Sequence, residues 1–291
     1  MEQANEPAMD NAAASQPPAN LQRGSVTPEG AAGSCGCNGN GAPLMAPAHV
    51  YAIGKVEPRF PSLALEKEFA QVTGRTDSSG LTDRQALQKT LADRSNRYLA
   101  RQLCWILSIE GLETYLLEPR DPADLDLFIE AVRPAPRPTD MDVVIGMRGA
   151  VASPDVCNGL MLPMVAVDQL YSFDRDSLIK SIPRPEGIAK EKFGATAEEL
   201  FDRIMLMTDN AGATDEHRAL NYLAVRYPAI YASAADAHGR NSSLAAVEVR
   251  PSALSGARRI VDVIFSYTNR STDVTEEFPF LVTKLSPYYD R

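Results

Sequence analysis

No run of this sequence reaches the ~18 consecutive apolar residues that a membrane-spanning helix needs. The opening stretch, MEQANEPAMDNAAASQPPAN, lacks the basic flank and apolar core of a secretion signal. A membrane span and a secretory leader are therefore not expected, and the compartment read from the sequence is the cytoplasm. Long basic stretches are missing as well: 29 Lys and Arg face 38 Asp and Glu, a net charge of −9. Little in that balance would release counterions from a phosphate backbone, so nucleic acid is not an expected partner.

The motifs of common enzymes are also missing. Gly146 and Gly149 in VIGMRGA lack the lysine and the glycine spacing of a phosphate cradle. The three histidines, His49, His217 and His238, are far apart in sequence, and neither H-E-x-x-H nor G-x-S-x-G occurs. Asp215, Glu216 and His217 fall in the first turn of an expected helix, where acids favour the helix dipole. The carboxylate pairs Asp124 with Asp126 and Glu198 with Glu199 lie near expected helix N-termini, where capping explains them without catalysis. Met205 and Met207 fit an apolar helical stripe better than a peptide-binding face. No catalytic residue is assigned.

What the sequence does hold is a small set of cysteines. Cys35 and Cys37 stand one residue apart in GSCGCNGNG, and Cys104 and Cys157 complete the four. In a reducing compartment a disulfide framework is less expected than metal binding, catalysis or plain burial. Four thiolates suit a closed structural zinc site, each sulfur ~2.3 Å from the metal. Zn2+ held by Cys35, Cys37, Cys104 and Cys157 is therefore the candidate site. Two blander readings stand beside it: an inert tail with singly buried cysteines, and redox chemistry. In CNGL, Asn158 and Gly159 can take positive φ and so turn Cys157 inward.

Residues 1–48 are Ala, Gly, Pro, Asn and Ser with hardly a large apolar side chain, which cannot offset the entropy of ordering the backbone. They are expected to be a disordered tail carrying the CGC segment, and residues 49–291 to be one folded domain. HVYAIGKVEP opens that domain as a strand, and SLALEKEFAQVTG and LTDRQALQKTLAD follow as capped helices. The spacing of Tyr98, Leu99, Leu103, Ile106 and Leu107 predicts a helix that contains Cys104 and Trp105, with a strand over Glu113 to Leu117. DPADLDLFIEAV reads as a helix, and MDVVIGMRG as a strand covered on both faces. Further helices are expected in SFDRDSLIKSI, ATAEELFDRIMLMT and DEHRALNYLAVRYPAIYASAADA. The last fifty residues or so alternate and are rich in β-branched residues. The fold class expected is α+β, its helical N-terminal two-thirds packed with a C-terminal antiparallel sheet. No repeat at a period of about 20 to 50 residues indicates a solenoid.

The series YAIGKVEPRFPSLALEKEFAQVTGR, MDVVIGMRG, CNGLMLPMVAVDQLYSFDRDSLIKSIP and EEFPFLVTKLSPYYDR resembles the C-terminal domain of cyanobactin maturation proteases of the PatA/PatG type. The resemblance runs from about Val50 to Arg291. It implies a place in the maturation of ribosomally made peptides, in which that domain follows an oxidase or a subtilisin-like protease and is itself of unknown function. Here the chain reads as free-standing, since nothing before Val50 is long enough for a protease and its Asp, His and Ser. With no recognisable catalytic set, the resemblance implies a non-catalytic accessory module that binds precursor peptide or a partner maturation enzyme, to which the cysteines add the expected structural zinc. The alternatives are a zinc-dependent enzyme built on Cys104, Cys157 or His217, and a homodimerisation domain using an apolar strand such as DVIFSY.

Overall fold

The computed structural model describes residues 48–75, 80–207, 209–256 and 259–283. The tail with Cys35 and Cys37, expected to be disordered, lies outside the described residues. The fold is α+β, as its composition of elements predicts, and its centre is a closed five-stranded barrel of order β1-β2-β3-β5-β4. The strands are β1 (Ala48–Arg59), β2 (Cys104–Ile109), β3 (Leu112–Pro119), β4 (Asp140–Val151) and β5 (Pro163–Asp174). All neighbouring pairs are antiparallel except β3 and β5, which run parallel from Leu116 opposite Met164 to Pro119 opposite Val167.

Strand β1 is long enough to serve two neighbours: Ala48 to Gly54 pair with β4, and Lys55 to Arg59 pair with β2. The barrel turns its corner between those two spans. A Cβ at Gly54 would run into the backbone carbonyl of Ser108, where β2 itself shifts register. Only glycine lets the strands approach this closely.

Side-chain alternation divides the molecule into cores. Val50, Ala52 and Val56 of β1 point into the barrel with Trp105, Leu107, Tyr115 and Val144. Four helices close over this interior: α1 (Leu63–Arg75), α2 (Asp83–Ala92), α3 (Arg97–Ala100) and α4 (Leu125–Ala131). Of the two residues that could cap helix α2, Thr82 and Asp83, Thr82 does so: it accepts from the Gln85 amide at 3.3 Å, and the Gln85 side chain accepts from Thr82 N–H at 2.9 Å. In α4, Phe128 meets the Trp105 ring edge-on, 5.4 Å between centroids.

The alternate residues of β1 and β4, among them Tyr51, Ile53, Val143 and Ile145, face outward into a second core. It is filled by α5 (Arg175–Ser181), α6 (Lys190–Met205), α7 (Asp215–Arg226) and α8 (Ala229–Gly239) and by a three-stranded antiparallel sheet. That sheet is β6 (Ser242–Pro251), β7 (Val261–Asn269) and β8 (Thr275–Val282), in the order β6-β7-β8. The apolar strand DVIFSY is the central β7, with Val263 and Phe265 buried against the helices, so its backbone is already paired on both sides.

Two local expectations are corrected. The helix anticipated around Cys104 and Trp105 stops at Ala100, and both residues lie on strand β2. A strand inside this barrel is buried on both faces, so its apolar run shows no period-two alternation and imitates a buried helix. The tight turn at Glu110 and Gly111, with φ of 49° and 78°, then joins β2 to β3. The single helix anticipated from Asp215 onward is two, α7 and α8, parted at Pro228.

Candidate functional site

Two of the four cysteines proposed as ligands come together. Cys104 starts β2, and Cys157 sits in the loop of residues 152–162 that joins β4 to β5, with a Cα–Cα distance of 6.1 Å and the sulfurs joined as a disulfide. Burial brings them there: Cys104, Ile106 and Leu116 on the outer face of β2 and β3 pack with Ala152 and Cys157 in a small third core. The turn read from CNGL is present, with φ of 48° at Asn158 and 84° at Gly159. Among the described residues no group of three or more His, Cys, Asp or Glu converges as a metal site. His217 therefore does not join this sulfur pair. Cys35 and Cys37 lie outside the described residues.

Beside the pair runs an open groove of about 710 Å³. Its walls come from four places: the α3–β2 junction (Arg101 and Leu103), the end of β3 (Glu118 and Pro119), Pro122 before α4, and Val156 from the 152–162 loop. Val156 is 45% exposed while Cys157 next to it is 3% exposed, so the loop presents one side chain to the groove as it anchors the other. The groove combines apolar walls with a cation at Arg101 and an anion at Glu118. A surface of this kind holds a ligand by shape and a few polar groups.

The remaining expected positions fall elsewhere. His49 is on β1, His217 in the first turn of α7 and His238 in α8. Burial lowers the basicity of His49 and His217, the nearby Arg218 adding to the effect at His49. Arg218 donates to the His49 carbonyl at 2.9 Å and pairs with Asp215, which also pairs with Arg259 at 3.0 Å. Asp126 pairs with Arg97, and Glu198 with Arg175 at 2.5 Å; the capping expected of these carboxylates is not what they do, since Asp124 makes no side-chain cap to α4 and Glu198 and Glu199 lie in the middle of α6. Met205 is 8% exposed and belongs to the second core, which Met207 packs against, as an apolar helical stripe implies.

A cluster that sequence reasoning passed over lies at the barrel corner. Asp142 of β4 is fully buried, and its carboxylate accepts from Val56 N–H at 2.8 Å, Ser172 Oγ at 2.6 Å and Arg133 Nη2 at 3.0 Å. Burial raises its carboxyl above the ordinary range, and the bonds from Ser172, Val56 and Arg133 pull it back down. Near it Asp174 accepts from Thr139 and Ser177, which hold its carboxyl down at about 2. These groups satisfy one another and hold the corner where β1 changes partner. The signal was there in DMDVV: Asp140 and Asp142 are two apart on a strand with both faces covered, so at least one had to be buried and paired.

A closed barrel packed against helices and a separate three-stranded sheet makes this an α+β domain. The family model of the PatG domain matches residues 49–250, and the chain belongs to that family. The chain is also similar in fold to a solved structure described as "PatG Domain of Unknown Function", with a TM-score of 0.63 and 19% identity. That match covers 82% of this chain and 94% of the other. No curated protein matches.

Proposed function

We propose that this domain is a non-catalytic accessory module of cyanobactin-like peptide maturation, and that the groove beside Cys104 and Cys157 binds the precursor peptide or a partner maturation enzyme. The observation that carries the proposal is the groove itself, which at about 710 Å³ lies within the ~300–1,000 Å³ of ligand-binding clefts. Membership of the PatG family supports the pathway. An extended peptide segment would lie along Leu103 and Val156 with its polar groups toward Arg101 and Glu118. The test is calorimetry with the cognate precursor peptide and, separately, with the maturation enzymes. Val156→Asp, at an exposed position, is expected to weaken binding about tenfold, ~1.4 kcal/mol, and absence of binding to any of these partners would overturn the proposal.

The meeting of Cys104 and Cys157 supports a second element, a structural zinc ion. In the reduced chain the two thiolates would supply half of a four-sulfur shell, with Cys35 and Cys37 the other half. Elemental analysis of protein kept reduced and purified without chelator or added metal is expected to give about one zinc per chain. The zinc should be lost in both a Cys35→Ser, Cys37→Ser variant and a Cys104→Ser variant. No metal in the unaltered chain would remove the zinc from the proposal.

A further inference from the structure

Residues 152–162 make their backbone hydrogen bonds among themselves. Ala152 N–H donates to Leu162 at 2.8 Å, Val156 to Ser153 at 3.0 Å, Gly159 to Pro154 at 2.8 Å and Leu160 to Cys157 at 2.9 Å. The β4–β5 ladder ends just before them, at Val151 opposite Pro163. What ties the loop to the barrel is the small apolar core around Ile106 and Leu116 and, through it, the bond from Cys157 to Cys104. Five buried residues, with Leu160, Leu162 and Met164 packed against them, make a small anchor, and a segment held by so small a core opens locally more easily than the main cores. The loop in turn carries Val156, one wall of the groove, and Cys104 lines the same groove.

From this arrangement we infer that Cys104 and Cys157 form a redox latch on the groove. Closed, the bond holds residues 152–162 on β2 and keeps Val156 in the wall. A dithiol reductant opens it: the reductant's thiolate attacks one sulfur, its second thiol resolves the mixed disulfide, and it leaves as a disulfide. Two electrons and two protons thus pass to Cys104 and Cys157, which become thiols. Where no metal bridges the two thiols, as in a chain whose Cys35 and Cys37 are replaced, the freed loop then lifts and the groove loses that wall. The regulatory meaning rests on the proposal that the groove binds a partner, whereas the latch itself does not.

The experiment uses the full chain carrying Cys35→Ser and Cys37→Ser, so that only the pair in question changes state. Peptide mapping without reductant first establishes the Cys104–Cys157 link in air-oxidised protein. Amide hydrogen exchange is then followed before and after dithiothreitol. Exchange over residues 152–162 should quicken about tenfold or more on reduction, while α6, α7 and α8 stay unchanged. A Cys157→Ala chain, which cannot close the latch, should exchange at the faster rate without reductant. Absence of the link in the oxidised protein, or equal loop exchange in both states, overturns the inference. A fast reduced loop in protein that binds no precursor peptide in either state upholds the latch and removes the groove's proposed ligand. Peptide bound equally by both states over an unchanging loop removes the latch and leaves the ligand.

Discussion

Gly54→Ala is expected to destabilise the domain by about 3 kcal/mol, at the upper end of the cost of forcing extra volume into a packed interior. The added methyl would meet the Ser108 carbonyl and crowd the Leu107 side chain, and backbone cannot swing aside as the end of a flexible side chain can. Relief would require β1 and β2 to separate where β1 passes from β4 to β2. The same substitution at Gly194, inside α6 with nothing within 4 Å of the new Cβ, is expected to stabilise by ~0.5–1 kcal/mol through helix propensity. Urea unfolding of the two variants should move the midpoint in opposite directions. Equal shifts would show that Gly54 holds no corner.

Asp142→Ala is expected to cost ~3–5 kcal/mol, the penalty of removing one partner from a buried charged pair. The change strands the Val56 amide and the Ser172 hydroxyl, and leaves Arg133 with the more distant Asp140, at 3.6 Å. Asp142→Asn keeps an acceptor for Val56 and should cost only about 1–2 kcal/mol. The two variants also separate packing from ionisation. Because burial raises the Asp142 carboxyl, the folded state binds its proton more tightly than the unfolded chain. That contribution is fully present below the ordinary carboxylate range and is lost as pH rises through the raised folded value. The advantage of the unaltered protein over Asp142→Asn should therefore widen as melts are taken from about pH 7 to 4. A gap that narrows on acidification would mean the carboxylate is held charged by Arg133 instead. Since Asp142 bonds to Val56, two residues from Gly54, the Ala variants at the two positions should not add.

Much of this architecture could be read in the sequence, because most elements announce themselves through local chemistry. The opening strand, the Thr82 cap and the alternating strands of the final sheet obey rules that involve only near neighbours. The barrel was not legible for a physical reason. Its strands are buried on both faces, so Trp105 and Leu107 point inward while Cys104 and Ile106 point outward, and no polar residue marks the alternation. The pairing of Cys104 with Cys157, 53 residues apart, depends on that missed strand, since a helix there would have turned the thiol elsewhere. Asp142 went unremarked because the covered faces of MDVVIGMRG were read for their apolar residues alone, although a carboxylate on such a strand has to be buried and paired. The groove is legible to no local rule, being assembled from a helix end, two strands and a loop.

The parallel contact of β3 with β5 has a consequence for how the chain is made. When Pro119 has emerged from the ribosome, β1, β2 and β3 can already form a meander of two antiparallel pairs. Both outer edges of that meander await strands not yet synthesised: β1 needs β4, and β3 needs β5, which ends only at Asp174. Closure is thus a late and long-range event, of the kind that slows folding and leaves sheet edges open to other chains. A nascent chain halted between Pro119 and Asp174 should be the most aggregation-prone length of this protein, and the one on which a chaperone has most effect.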